Sequence, residues 1–170
     1  MPFSIDQASV PVFIQFLESL AAMLGKAAAH AEARKVEPAV FCQLRLFPDM
    51  LPLSRQVSLA CDFAKLATAR LAAVEAPKYA DDERDFAQLQ ERIARTLDFI
   101  RSVPKAAVAA GAERIVTMKL AKGEHSFAGP VYLMHMALPN FFFHIATAYA
   151  ILRSNGVELG KFDFIGSLPA

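Results

Sequence analysis

The 170-residue chain has no tryptophan, only two cysteines and seven glycines, and charged residues make up just 21% of it. Each shortage removes a class of function. Cys42 and Cys61 lack the close spacing of a paired-cysteine metal site, and no cationic residue is placed to lower a thiol pKa. They read as small, reduced, buried hydrophobes rather than redox groups. A formal net charge of +1 with no long basic run leaves no electrostatic footprint for DNA or RNA, so no nucleic-acid partner is expected. The leading stretch MPFSIDQASV has no basic region followed by an apolar core, as a signal peptide would, and the expected location is cytoplasmic. Glycine-rich phosphate loops, nucleophile elbows and paired Cys-x-x-Cys motifs are missing, which lowers the prior for an enzyme.

Hydrophobic residues, by contrast, make up 55% of the chain, ample for a buried core, and the length suits one domain spanning 1–170. The segment that organises the rest is Val131 to Leu152, which contains no Asp, Glu, Lys or Arg but does contain His135, Pro139, Asn140 and His144. It is long enough to cross a bilayer. Its embedded polar residues and the lack of Lys/Arg clusters at its flanks instead describe a helix enclosed by partners in a protein without a membrane span.

Apolar periodicity predicts four helices at about 10–35, 53–75, 82–102 and 130–155, with a hairpin at about 114–128. In the first, Phe13, Leu17, Leu20 and Leu24 recur at helical spacing, Pro11 suits the first turn and Ser9 is the expected N-cap. Pro38 requires a break near Val36 to Glu37. A short helix over 38–45 then leads into the irregular run LFPDMLPLS. The second helix carries a broad alanine-rich stripe, and the third repeats Phe86, Leu89, Ile93, Leu97 and Ile100 between charges. The hairpin turns through Ala121-Lys122-Gly123. The fourth helix opens at Pro130, is kinked by Pro139 and stops at Gly156. Phe162, Phe164 and Ile165 give the tail enough apolar surface to dock on the bundle or on a second subunit.

Asn140 and His144 are four apart and stack on one helical face, which Met136 and Thr147 extend. Such a pair is half of a metal site, a general base with its neighbour, or a core histidine bonded to a polar partner. Gln56, near the start of the second helix, is the candidate third group, with Phe63 two turns on. Arg55 and Asp62 read as structural ion-pair partners of other helices. His135 reads as a core or rim residue, and His30 and His125 as solvated.

The helix-4 ending from His144 to Val157 and the four-helix layout resemble the DinB/YfiT-like bundle superfamily. Within it, the runs Pro48-Asp49-Met50, Arg55-Gln56, Asp62-Phe-Ala-Lys65, Leu138-Pro139-Asn140-Phe141-Phe142-Phe143-His144 and Asn155-Gly-Val-Glu-Leu-Gly160 resemble a bacterial branch named only as a domain of unknown function. The resemblance implies an all-α, up-down-down-up four-helix bundle with a small β-hairpin insertion before the last helix. It also implies a homodimer, as many members are, and a divalent metal held by one histidine of helix 2 and two histidines, four apart, of helix 4. Only His144 matches that set. Asn140 and Gln56 stand at the other two places, and an amide is a poor ligand for zinc or nickel. The thiol-transfer and hydrolase activities of the superfamily are therefore not carried over. The leading expectation is a small polar or amphipathic ligand held between helices by Gln56, Asn140 and His144, bonded directly or through water. The alternative is a hydrolase- or thiol-transferase-type metal enzyme with a degenerate site, in which His144 and a water bind zinc or nickel with help from Asp49 or Asp62.

Overall fold

A computed structural model describes residues 4–121 and 123–168. The long helices are α1 (Val10–Ala33), α3 (Leu53–Ala72), α4 (Phe86–Ser102) and α7 (Leu138–Ser154). Shorter helices are α2 (Pro38–Gln43), α5 (Lys105–Ala109), which tightens into a 3₁₀ turn over Ala110–Glu113, α6 (Gly129–Tyr132) and α8 (Lys161–Ile165). Strands β1 (Ile115–Leu120) and β2 (Gly123–Ala128) pair antiparallel, from Ile115 opposite Ala128 to Leu120 opposite Gly123. Lys122, in the expected turn, lies outside the described residues.

Side-chain pairs fix the direction of each long helix. Phe13 meets Phe141, Phe16 meets Phe142, and a Cβ on Gly156 would touch His30, so α1 and α7 run parallel. Glu18 pairs with Arg101 and the Ala21 carbonyl accepts from Gln90, so α4 opposes α1. Ser58 bonds Glu83 and Asp62 meets Arg92, so α3 runs with α4. Gln56 bonds His144 and Arg70 bonds Tyr132, so α7 opposes α3. The order is up-down-down-up. Because α3 and α4 are parallel, residues 73–85 must travel back along the bundle, which explains why α4 begins at Phe86 rather than at 82. Its start is marked by Asp85, whose carboxylate accepts the Gln88 N–H at 2.8 Å.

The core is lined by a seven-residue alternation on α1, with Phe13, Leu17, Leu20, Leu24, Ala27 and Ala31 all buried, facing Val57, Ala60, Ala64, Ala67 and Leu71 of α3. Alanines on α3 let neighbouring helices approach closely. The described run Ile5–Ala33 is apolar and long enough to cross a membrane by composition alone, but this buried stripe packs inside the bundle. Ser9 precedes α1 without capping it; its hydroxyl turns back to the Ile5 carbonyl at 2.7 Å. α1 stops at Ala33, two residues short of expectation, where Lys35 enters the left-handed region at φ 56°.

Pro139 does not produce a simple kink. The turn just before it, Leu133–Ala137, widens into a π-helical turn, and α7 restarts with the proline in its first turn. An α-helical path would drive the proline ring into the His135 carbonyl. The wider turn moves that carbonyl aside and absorbs the missing N–H. Gly129, which opens α6, fits so tightly that a Cβ there would lie 1.9 Å from the Gly111 carbonyl oxygen.

The tail docks on its own bundle. Phe164 packs edge-on against Phe16 and Tyr149, Gln15 donates to the Ile165 carbonyl at 2.8 Å, and Lys26 pairs with Asp163 at 2.6 Å. Phe162 remains exposed.

Candidate functional site

The seam between α3 and α7 holds the polar pair that the sequence singled out. Gln56 lies one turn into α3, and its Nε2 donates to the Leu51 carbonyl at 3.0 Å, which turns Oε1 toward α7. There it meets His144 Nδ1 at 2.8 Å. An amide oxygen can only accept, so Nδ1 carries the proton. Burial lowers the His144 pKa below its ordinary value of 6.5, so the ring is neutral at pH 7 and Nε2 keeps a lone pair. Among the described residues no side chain bonds Nε2, and it is not sealed from solvent. Phe63 stacks on the imidazole with centroids 5.6 Å apart and planes 20° from parallel, and Phe143 meets it edge-on at 5.3 Å.

Asn140 shares the face but not the bond. Its Nδ2 donates to the Met136 carbonyl at 2.7 Å, one turn back in its own chain, beside the widened turn. Thr147 likewise donates to the Phe143 carbonyl at 2.7 Å. Gln56 and His144 are thus brought together, whereas Asn140 lines the same face with its amide turned away from both. Concavities of the described residues lie at the α1–tail junction, the C-terminal end of α1, beside α6 and along the crossover loop, and Gln56, Asn140 and His144 line none of these.

A tetrahedral zinc or nickel site needs three or four donors converging on one point. The described residues contain no group of three His, Cys, Asp or Glu side chains that could supply them. Asp49 is exposed in the 44–52 loop. The Asp62 carboxylate is engaged by Lys65 at 2.7 Å and Arg92 at 3.1 Å, toward α4. The donor set present does not fit the superfamily's metal.

One polar centre is visible only in part from the sequence, which offers Arg55 and Asp62 as ion-pair partners but not Arg92. Arg92 on α4 is completely buried, yet its guanidinium reaches Glu83 at 2.7 Å, Asp81 at 3.0 Å and the Ala80 carbonyl at 2.8 Å, as well as Asp62. Arg55 completes the ring by pairing with Asp81 at 2.7 Å. The Tyr79 ring lies against the cations of Lys65, Arg92 and Arg95, at 4.0, 5.3 and 4.7 Å from its centroid. This cluster pins the crossover to α3 and α4. The signal was present in the sequence: Arg92, three after Leu89 and four before Thr96, stands inside the apolar stripe of its helix. Both cysteines are free and buried, and burial pushes the Cys61 thiol up to about 12 and the Cys42 thiol up to about 11, so neither is a nucleophile at neutral pH. His125 and His135 are exposed. His30, expected to be solvated, is half-buried against Phe41, with its Nε2 sealed from water.

No curated protein matches the chain. Among solved structures it is similar to a DinB family member protein from Shewanella denitrificans, with 39% identity and a TM-score of 0.90 over 97% of this chain and 93% of that one. The family described as a domain of unknown function, DUF1993, matches residues 5–165. A protein with this up-down-down-up bundle, this family match and this structural relative belongs to the DUF1993 family, an unknown-function branch of the DinB-like bundles.

Proposed function

We propose that this protein is a binding bundle that takes a small polar or amphipathic ligand at the α3–α7 seam, with His144 Nε2 as its principal hydrogen-bonding atom. The observation that carries the reading is the 2.8 Å bond from Nδ1 to Gln56, which fixes the ring and leaves its second nitrogen without a partner among the described residues. Binding sites commonly place a few fixed polar atoms among apolar and aromatic walls, and Phe63 and Phe143 supply those walls. The test is a thermal-shift screen of small ligands against wild type and His144→Ala: hits that stabilise wild type should lose their effect in the variant, while the unliganded variant stays folded. The competing reading, a zinc- or nickel-dependent hydrolase or thiol transferase with a degenerate site, is decided by elemental analysis of untagged protein. Stoichiometric metal would replace the binding reading with the enzymatic one.

The same reading includes a cytoplasmic location with reduced thiols and a homodimer formed through helical faces. The exposed Val131 and Met134, on α6 and in the turn after it, support the dimer. Sedimentation at micromolar concentration should give twice the monomer mass, and a monomer there would remove the dimer.

A further inference from the structure

Asn140, His144 and Thr147 lie four and three apart on one face of α7, and each has its donor occupied inside the protein. His144 Nδ1–H goes to Gln56 Oε1 at 2.8 Å. The Asn140 amide nitrogen reaches both the Met136 carbonyl at 2.7 Å and the Met136 thioether at 3.7 Å. The Thr147 hydroxyl goes to the Phe143 carbonyl at 2.7 Å. The hydrogen-bonding capacity left on these three side chains is acceptor only: the Nε2 lone pair, the Asn140 Oδ1 and the Thr147 Oγ1. The helical segment itself adds no formal charge to override them, since Val131 to Leu152 has no Asp, Glu, Lys or Arg. Phe63 stacks on the imidazole, and Phe143, 55% exposed, offers its ring to whatever approaches.

We infer that this seam selects protonated primary amines carrying an apolar body, and turns away carboxylates and phosphates. The inference rests on the reading that the α3–α7 seam is a binding site, and it names the chemistry of the occupant. An ammonium group has three donors and no acceptor, the complement of this face, and a cation gains further from an aromatic ring within reach. A carboxylate brings acceptors to acceptors, so lone pairs on both sides are stripped of water without a partner. The selectivity is set at a distance from the ligand. The Leu51 carbonyl orients the Gln56 amide, the amide orients the Nδ1 proton, and that proton decides what Nε2 can bind.

The experiment uses full-length protein labelled with 15N-histidine at neutral pH, observed by two-bond proton–nitrogen correlation and titrated separately with benzylamine, benzyl alcohol and benzoate. Before titration, His144 should show a protonated Nδ1 and a bare Nε2. Benzylamine should then shift the Nε2 resonance saturably and bind roughly tenfold tighter than benzoate, the ratio that corresponds to about one mispaired hydrogen-bonding group. Phe143→Ala, a change at an exposed side chain that leaves the core intact, should weaken the amine several-fold without altering the tautomer. If benzoate or the alcohol binds at His144 as well as benzylamine does, the amine selectivity is wrong while the seam remains a binding site. If Nε2 carries the proton in the free protein, the acceptor face does not exist and the inference falls. If none of the three probes moves His144, the binding site falls with it.

Discussion

Replacing Arg92 by leucine would leave Asp62, Asp81 and Glu83 gathered around a side chain that donates nothing. Breaking a buried ionic cluster from one side typically costs about 3–5 kcal/mol, and R92L should lower the urea midpoint accordingly. R92K keeps the charge but not the planar fork that reaches several acceptors at once, so it should fall between the two. A second test at this scale is pH. The folded-state pKa of His144 is depressed by burial, so the unfolded chain binds the extra proton first as pH falls. Stability is fully present above the ordinary value of 6.5 and declines as pH drops from there through the lower folded value. The His144→Gln variant should lose that part of the slope, as measured by melting temperature against pH. Single residues were unevenly legible in the sequence. The four-residue spacing of Asn140 and His144 puts them on one face, but no periodic pattern says that the Asn140 amide turns back to the Met136 carbonyl beside the widened turn. A charge such as Arg92 within an apolar stripe reads as an interruption until the crossover supplies its carboxylates.

Two glycines separate steric need from chain freedom at the level of the elements. At Gly129 an added methyl would occupy the space of the Gly111 carbonyl oxygen, so G129A should cost at least about 2–3 kcal/mol by forcing α6 away from the turn after α5. At Gly25, exposed in the middle of α1, nothing lies within 4 Å, and G25A should stabilise by roughly 0.5–1 kcal/mol. Guanidinium denaturation of the pair reads both signs in one experiment. The long helices were legible because apolar spacing and bounding prolines act locally. The start of α4 was not, since it depends on how far a connection between parallel helices must run. Pro139 announces an interruption, but that it is taken up by a widened turn before the proline rather than by a bend has no separate signal in the apolar pattern.

Across the whole molecule, the fold class was recoverable because the four helices and the hairpin insertion follow from periodicity, while their up-down-down-up order rests on the family resemblance and the tail is legible only as an apolar need. Removing residues 160–170 would uncover Phe16 and Tyr149 and leave Gln15 and Ser19 without the carbonyls they meet on α8. The truncated chain should melt lower and aggregate on heating, as light scattering would record. That docking also has a consequence in time. Ser19 finds its α8 partner Asp163 144 residues later, so during synthesis at about 5–20 residues per second, α1 waits roughly 7–30 s for that partner. Its parallel neighbour α7 emerges only shortly before. α4 covers one side of α1 earlier, but for most of synthesis the face that will take α7 and α8 stays open to solvent, and the ribosome-bound chain, rather than the finished fold, is the form in which that face most needs protection from other chains.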